Sequence, residues 1–144
     1  MNKGLANLHV YALGVTREGH LYAATRGGLF RSSSHGDQWE PKNQGLLISN
    51  VNAIAANAGN QLFAGTNGTG MFRSDDNGMN WVQLNEGITP PDLMAIVVNR
   101  SQHVFVGGAG GVFRSMNNGQ SWTKFNVAGG IYALALSKMG SILA

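Results

Sequence analysis

The sequence predicts an all-β protein built of β-propeller blades, about three and a half four-stranded antiparallel blades forming a partial propeller or half of a ring closed by association. Three observations lead there. An eight-residue frame, Ser-x-(Asp/Asn/Ser)-x-Gly-x-x-Trp, occurs three times, ending at Trp39, Trp81 and Trp122. The tryptophans set a period, 42 residues from Trp39 to Trp81 and 41 from Trp81 to Trp122. Other landmarks keep step with it: Phe30-Arg31-Ser32, Phe72-Arg73-Ser74 and Phe113-Arg114-Ser115, and likewise Leu21-Tyr22-Ala23, Leu62-Phe63-Ala64 and Val104-Phe105-Val106. A repeat of about 40–50 residues divided into short strands is the mark of propeller blades.

The composition agrees. A chain of 144 residues is long enough for one domain with a sizeable core. Hydrophobic residues make up 43%, an ordinary globular share, while charged residues are only 12%, about half the usual fraction. Twenty-one glycines suit strands joined by tight turns and would break helices, and no amphipathic helical period is present. The net charge of +3 comes from 10 basic and 7 acidic residues, scattered rather than clustered, so no nucleic-acid footprint is expected. There is no Cys, hence no disulfide framework and no thiolate metal site. Met1 to Val10 lacks a long apolar run after Lys3 and reads as neither a signal peptide nor a transmembrane segment.

Each repeat reads as four short strands, with repeats at approximately 8–48, 49–90 and 91–128 and a half repeat at 129–144. The first strand is apolar with small residues: Val10 to Val15, Val51 to Ala56, Leu93 to Val98. A polar turn follows, and then a second strand at Leu21 to Ala24, Leu62 to Ala64 and Val104 to Val106. A Gly-rich loop leads to a third strand that carries the Phe-Arg-Ser step. The repeated turn then leads to a fourth strand expected to begin at each Trp. In the half repeat, Tyr132-Ala133-Leu134 matches Asn52-Ala53-Ile54, and Ile142-Leu143-Ala144 matches the start of the second strand.

The turn's residues have physical reasons. Gly78 supplies a positive φ that a side chain would resist. Asp76 can accept hydrogen bonds from backbone N–H groups of the turn; Asn117 can do so uncharged, and Ser34 more weakly. Trp81 is expected to pack its ring between neighbouring blades. A buried Trp removes some 150–250 Å² from water, worth roughly 4–6 kcal/mol as an upper estimate, whereas a turn hydrogen bond contributes about 1 kcal/mol. The copies follow that ranking: Trp is kept in all three, while the acid position holds Ser34, Asp76 or Asn117.

This motif resembles the Asp-box, or BNR, repeat of sialidases, xyloglucanase-type glycoside hydrolases, sortilin-like receptors and photosystem-assembly-factor-like propellers. The resemblance spans the chain at the level of its repeats and implies a propeller rather than any one activity. It implies that Ser32, Ser34, Gly36 and Trp39, Ser74, Asp76, Gly78 and Trp81, and Ser115, Asn117, Gly119 and Trp122 are structural. It also places the turns on the face opposite a ligand site. The ligand face would then carry the loops Ala24 to Gly28, Gly65 to Gly70 and Gly107 to Gly111. The blade connections Gly45 to Asn50, Gly87 to Asp92 and Val127 to Gly130 would lie on that face too. Arg26, Asn50, Thr66, Asn67 and Asp92 are its candidates for polar contacts.

No catalytic constellation accompanies the repeat. Arg31, Arg73 and Arg114 could not be taken for a sialidase carboxylate clamp, since they hold one repeat position and read as structural, salt-bridged or packed on a neighbour. Tyr11, Tyr22 and Tyr132 lie on apolar strands, and the only Glu residues are Glu18, Glu40 and Glu86. A glycosidase needs two carboxylates across a bond, and Asp92 is the only acid on the expected ligand face; Asp37, Asp75 and Asp76 sit in turns. His20 and His103 fall at equivalent turn positions of non-adjacent blades, and His9 and His35 lack partners at ligand spacing, so no metal and no cofactor is expected. Gly65 to Gly70 looks phosphate-friendly, yet no helix follows it, and it reads as a hairpin loop.

The sequence therefore points to a non-enzymatic binding or scaffold module with a protein or glycan ligand. A non-catalytic fragment of a sialidase- or xyloglucanase-like propeller hydrolase, or a protein that only assembles, are the alternatives. Propellers close with about 4–8 blades to protect sheet edges. Three and a half blades imply either two chains pairing as 3.5 + 3.5 = 7 blades or the remainder of a longer propeller. For the turn itself, Trp81→Ala should lower Tm several times more than Asp76→Ala; equal losses in thermal melts would refute the ranking.

Overall fold

The computed structural model describes residues 2–46, 50–89, 92–127, 129–138 and 140–144. The described residues form three four-stranded antiparallel sheets and a two-stranded one, with no helix. The first sheet runs β1 (Val10–Val15), β2 (Leu21–Thr25), β3 (Gly28–Ser32), β4 (Glu40–Pro41). The second runs β5 (Val51–Ala56), β6 (Leu62–Thr66), β7 (Met71–Ser74), β8 (Val82–Gln83), and the third β9 (Leu93–Val98), β10 (Val104–Gly108), β11 (Gly111–Ser115), β12 (Thr123–Phe125). β13 (Ala135–Leu136) pairs with β14 (Ile142–Leu143). Strand order follows chain order in every sheet, the meander of a propeller blade.

The first strands have the expected bounds. The fourth strands differ: each begins one residue after its Trp, because the Trp backbone N–H is used elsewhere. Trp39 N–H donates to the Lys3 carbonyl at 2.8 Å, Trp81 N–H to Gln44 and Trp122 N–H to Glu86, both at 3.0 Å. Gln44 and Glu86 belong to the segment that ends the preceding repeat, so Trp81 and Trp122 are each tied to the chain of the blade before them, while Lys3 precedes the first repeat. The glycine after the acceptor is constrained by this approach. Gly45 and Gly87 have φ of 88° and 89°, and a Cβ on either would collide with the carbonyl oxygen of Trp81 or Trp122. The half repeat forms less sheet than expected, since only Ala135–Leu136 of the stretch Gly130 to Leu136 is in a strand.

The core lies between the blades. Each strand's alternation sends one set of side chains forward and the other back. Tyr22, Ala24 and Leu29 of the first sheet meet Val51, Ile54, Leu62, Phe72 and Trp81 of the second. Ala53, Phe63 and Met71 of the second meet Leu93, Ile96, Val104, Phe113 and Trp122 of the third. Trp81 and Trp122 are 5% and 7% exposed. Trp39, with no sheet before it among the described residues, is half-buried. The first strand of the first blade shows the same effect: Leu13 is 70% exposed where its repeat equivalents Ile54 and Ile96 are 7% and 9%.

The repeated turn is a closed hydrogen-bond unit. The Ser74 hydroxyl oxygen accepts from the Gly78 N–H at 2.9 Å and donates to Asp76 Oδ1 at 2.8 Å. Asp76 accepts from the Asn80 backbone N–H and from Asn80 Nδ2, both at 2.8 Å. Ser115 and Asn117 repeat the pattern with Gly119 and Ser121, and Ser32 and Ser34 do so with Gly36 and Gln38. The turn needs two successive left-handed residues, the Gly and the one before it: His35, Asn77 and Asn118 have φ of 53°, 58° and 55°. Asn tolerates that conformation better than most side chains, and it holds two of the three positions.

The Asn80 side chain and backbone N–H, aided by Ser74 and Met79, hold the Asp76 carboxyl at about 2, below its ordinary 3.8. A depressed folded-state value means that the ionised carboxylate stabilises the fold. That contribution is complete above about pH 4 and is lost as pH falls toward about 2. The Tm of the native chain should therefore fall more steeply between pH 4 and pH 2 than that of Asp76→Asn, whose amide reproduces the Asn117 arrangement. Parallel curves would contradict this account of the turn.

Candidate functional site

Strand pairing defines two faces. The loops between second and third strands lie at the same end as the starts of the first strands. Arg26 N–H donates to the His9 carbonyl at 3.1 Å, Asn67 N–H to Asn50 at 3.1 Å and Ala109 N–H to Asp92 at 3.3 Å. The Ser-to-Trp turns lie at the other end.

At the first end, each first strand carries a β-bulge at the same repeat position. Val10 pairs with Thr25 and Ala12 with Ala24, which leaves Tyr11 as the extra residue. Val51 pairs with Thr66 and Ala53 with Gly65, leaving Asn52. Leu93 pairs with Gly108 and Ala95 with Gly107, leaving Met94. A bulge removes one residue from the ladder's alternation and re-aims its side chain. Here the three bulged side chains converge. Together with Asn50, Asn67 and Tyr132 they line a cleft of about 330 Å³.

The lining mixes amides with tyrosine rings and a methionine and carries no charged group: no Asp, Glu, His, Lys or Arg is among those six residues. Asn52 is 9% exposed, and its Nδ2 donates to the Leu93 carbonyl at 3.1 Å and contacts Met94 Sδ at 3.4 Å, tying the second blade to the third. Asn50 Oδ1 is buried and has no hydrogen-bond partner among the described residues. An unpartnered buried carbonyl oxygen is costly, and a ligand N–H or O–H would relieve it. Tyr11 and Tyr132 are 51% and 77% exposed and present their rings at the rim. The arrangement can grip a neutral hydrogen-bonding ligand and offers no acid, base or nucleophile pair.

The five sequence candidates separate. Asn50 and Asn67 meet in this cleft. Arg26 is exposed on the first blade, and Asp92 is half-buried at the third; neither lines it. Thr66 does not serve as a contact: it is fully buried, its hydroxyl facing the Gly70 carbonyl at 2.8 Å and the Thr69 hydroxyl at 2.9 Å within its own loop. Residues 47–49, 90–91 and 128 of the expected ligand-face connections lie outside the described residues. Tyr11, Asn52, Met94 and Tyr132 were missed, yet they had a signal. They share one repeat position whose neighbours are uniformly apolar, and that position changes from Tyr to Asn to Met to Tyr.

The remaining reactive groups do not converge. Arg73 donates to the Asn118 carbonyl and pairs with Asp75, both at 2.8 Å. The Arg114 guanidinium lies 5.1 Å from the centre of the Phe125 ring. No group of three or more His, Cys, Asp or Glu able to hold a metal occurs among the described residues. A smaller crevice of about 220 Å³ on the turn face, lined by Arg31, Ser34 and Trp39 among others, adjoins the first and most altered turn.

No curated protein matches the chain. Solved structures share its fold at low identity. The extracellular domain of the putative hybrid two component system BT4673 from B. thetaiotaomicron is 17% identical with a TM-score of 0.77, over 93% of this chain and 19% of that one. The GH74 enzyme of Niastella koreensis is 20% identical with a TM-score of 0.72, over 92% and 25%. YCF48 bound to D1 peptide is 18% identical with a TM-score of 0.62, over 79% and 39%. The chain thus spans about a fifth to two fifths of the length of these neighbours, and at such identities they establish the architecture alone. One family model matches residues 1–94, well over half of the sequence. That match, joined to the blades just described, places the chain in a family of propellers: it belongs to the DUF6242 beta propeller domain family.

Proposed function

We propose that the chain is a non-enzymatic binding module of the Asp-box propeller type, holding a neutral ligand in the bulge cleft. The observation that carries this reading is the repeated bulge, which turns Tyr11, Asn52 and Met94 out of three separate ladders into one cleft. Bulges that re-aim side chains are over-represented beside functional sites. Of the two ligand classes, protein and glycan, the lining favours a glycan. Side-chain amides both donate to and accept from hydroxyls, Asn50 Oδ1 lacks a partner among the described residues, and two exposed tyrosine rings can lie against sugar C–H faces.

A second reading, a non-catalytic fragment of a propeller glycoside hydrolase, draws support from neighbours named as GH74 enzymes. It predicts carbohydrate contacts in the same cleft. The lining contains no pair of carboxylates, so this chain by itself is expected to turn over no glycan.

An array of neutral oligosaccharides followed by calorimetry on the best binder tests the proposal. Tyr11→Ala, Tyr132→Ala and Asn67→Ala alter exposed side chains and should each weaken binding about tenfold while leaving Tm unchanged. Absence of glycan binding at millimolar concentration, or binding indifferent to all three changes, would overturn the glycan reading. Hydrolysis of the bound glycan would overturn the non-enzymatic one.

A further inference from the structure

Each blade places an arginine on its third strand just before the turn, and the first two blades engage it differently. In the second blade Arg73 has two partners. Its Nη1 donates to the Asn118 carbonyl of the following turn, and its Nη2 to Asp75 Oδ2, both at 2.8 Å. Asp75 Oδ1 accepts from Gln61 Nε2 at 2.8 Å, so one carboxylate joins two side-chain donors.

One period earlier Arg31 has lost both. Tyr22 stands where Phe63 stands, and its hydroxyl takes the Asn77 carbonyl at 3.0 Å, the acceptor equivalent to that of Asn118. Ser33 stands where Asp75 stands, and His20 where Gln61 stands. Among the described residues Arg31 keeps one polar contact, from Nη2 to His20 Nε2 at 3.5 Å. The neighbouring acids are committed elsewhere. Glu40 pairs at 3.1 Å with Lys42, whose side chain is only 15% exposed, and Glu18 accepts from Asn60 Nδ2 at 3.0 Å. No ion pair joins Arg31 to a carboxylate among the described residues. Arg31 pairs with Tyr22 across the ladder, so both side chains leave the sheet toward the second blade. The blades on either side of the vacancy are therefore both described.

The 220 Å³ crevice lies at this vacancy, with Arg31, Ser33, Ser34, Gln38 and Glu40 in its wall. We propose that it is a second binding site, at the opposite end of the blades from the bulge cleft, for a small organic monocarboxylate. The ligand's carboxylate takes the place that the Asp75 side chain holds in the second blade. Arg31 supplies the planar pair of N–H donors that matches a carboxylate, and the short Ser33 side chain leaves the room for it. The volume is below the roughly 300–1,000 Å³ of drug-sized sites, which limits the ligand to a small acid. Glu40 in the wall and Glu18 beside His20 disfavour a phosphate dianion, whose second negative charge they would repel.

The test titrates the isotope-labelled chain with sodium propionate at constant ionic strength and follows the arginine Nε–H signals by NMR. The Arg31 signal should move along a saturating curve with a Kd of about 10 mM or tighter, while that of Arg73, already paired with Asp75, stays in place. Propionamide, the neutral isostere, should move neither signal, and phosphate should bind more weakly than propionate. Ser33→Asp changes an exposed side chain and supplies the carboxylate from within, so it should weaken propionate binding at least about tenfold. Arg31→Gln should abolish the response, read at the backbone N–H signals of Ser33 and Ser34. An Arg31 signal that does not saturate by about 100 mM propionate, or that responds equally to propionamide, would overturn the proposal. So would phosphate binding more tightly than propionate, or a folded Ser33→Asp chain that binds propionate as the native one does.

Discussion

The structure depends on the docking of each blade's tryptophan against the blade before it. The ring of Trp81 fills the space between two sheets, its indole N–H is taken by Lys42, and its backbone N–H by Gln44. Three consequences follow from that one residue. The fourth strand starts a residue late, the preceding segment needs a glycine at 45 or 87 for close backbone approach, and the Ser-to-Trp turn has to be rigid enough to present the ring. The hydrogen bonds of Ser74 and Asp76 are therefore supports for the tryptophan, which explains why the acid position tolerates Ser34 and Asn117 while Trp does not vary.

Scaffold and site occupy opposite ends of the same strands. At the turn end the three repeats agree closely, because every blade solves the same packing problem. At the bulge end the frame is shared and the side chains differ: Tyr11, Asn52, Met94 and Tyr132 occupy one repeat position. A shared backbone device with divergent side chains is how a repeat protein builds one asymmetric cleft from equivalent units. The absence of charged groups from the lining separates that cleft from the turn face, where Arg31, Asp75 and Asp76 are held by local bonds.

Much of this was legible in the sequence, and the exceptions have physical reasons. The period of the Trp, Phe-Arg-Ser and first-strand landmarks located the strands because every blade repeats the same local chemistry. The late start of β4, β8 and β12 was not legible, because it arises from a contact made to the previous repeat. Thr66 was read as a ligand-face group since its loop is polar; its hydroxyl is instead consumed by Gly70 and Thr69. The bulges were hidden most completely. Tyr11 and Tyr132 read as residues of apolar strands, and only the strand register shows that Tyr11 is outside the alternation. Asn50 and Asn67, named from the sequence by loop position alone, do line the cleft.

Exchange of the three indole N–H protons, followed by NMR in deuterium oxide, tests the tryptophan docking most directly. Trp81 and Trp122 donate to a neighbouring blade, while among the described residues the Trp39 indole donates to Gly36 of its own turn alone, at 3.0 Å, and its ring is half-buried. The indole protons of Trp81 and Trp122 should exchange at least about tenfold more slowly than that of Trp39. Equal exchange at all three would mean that the blades are not held together by these rings, and would contradict the account at its root.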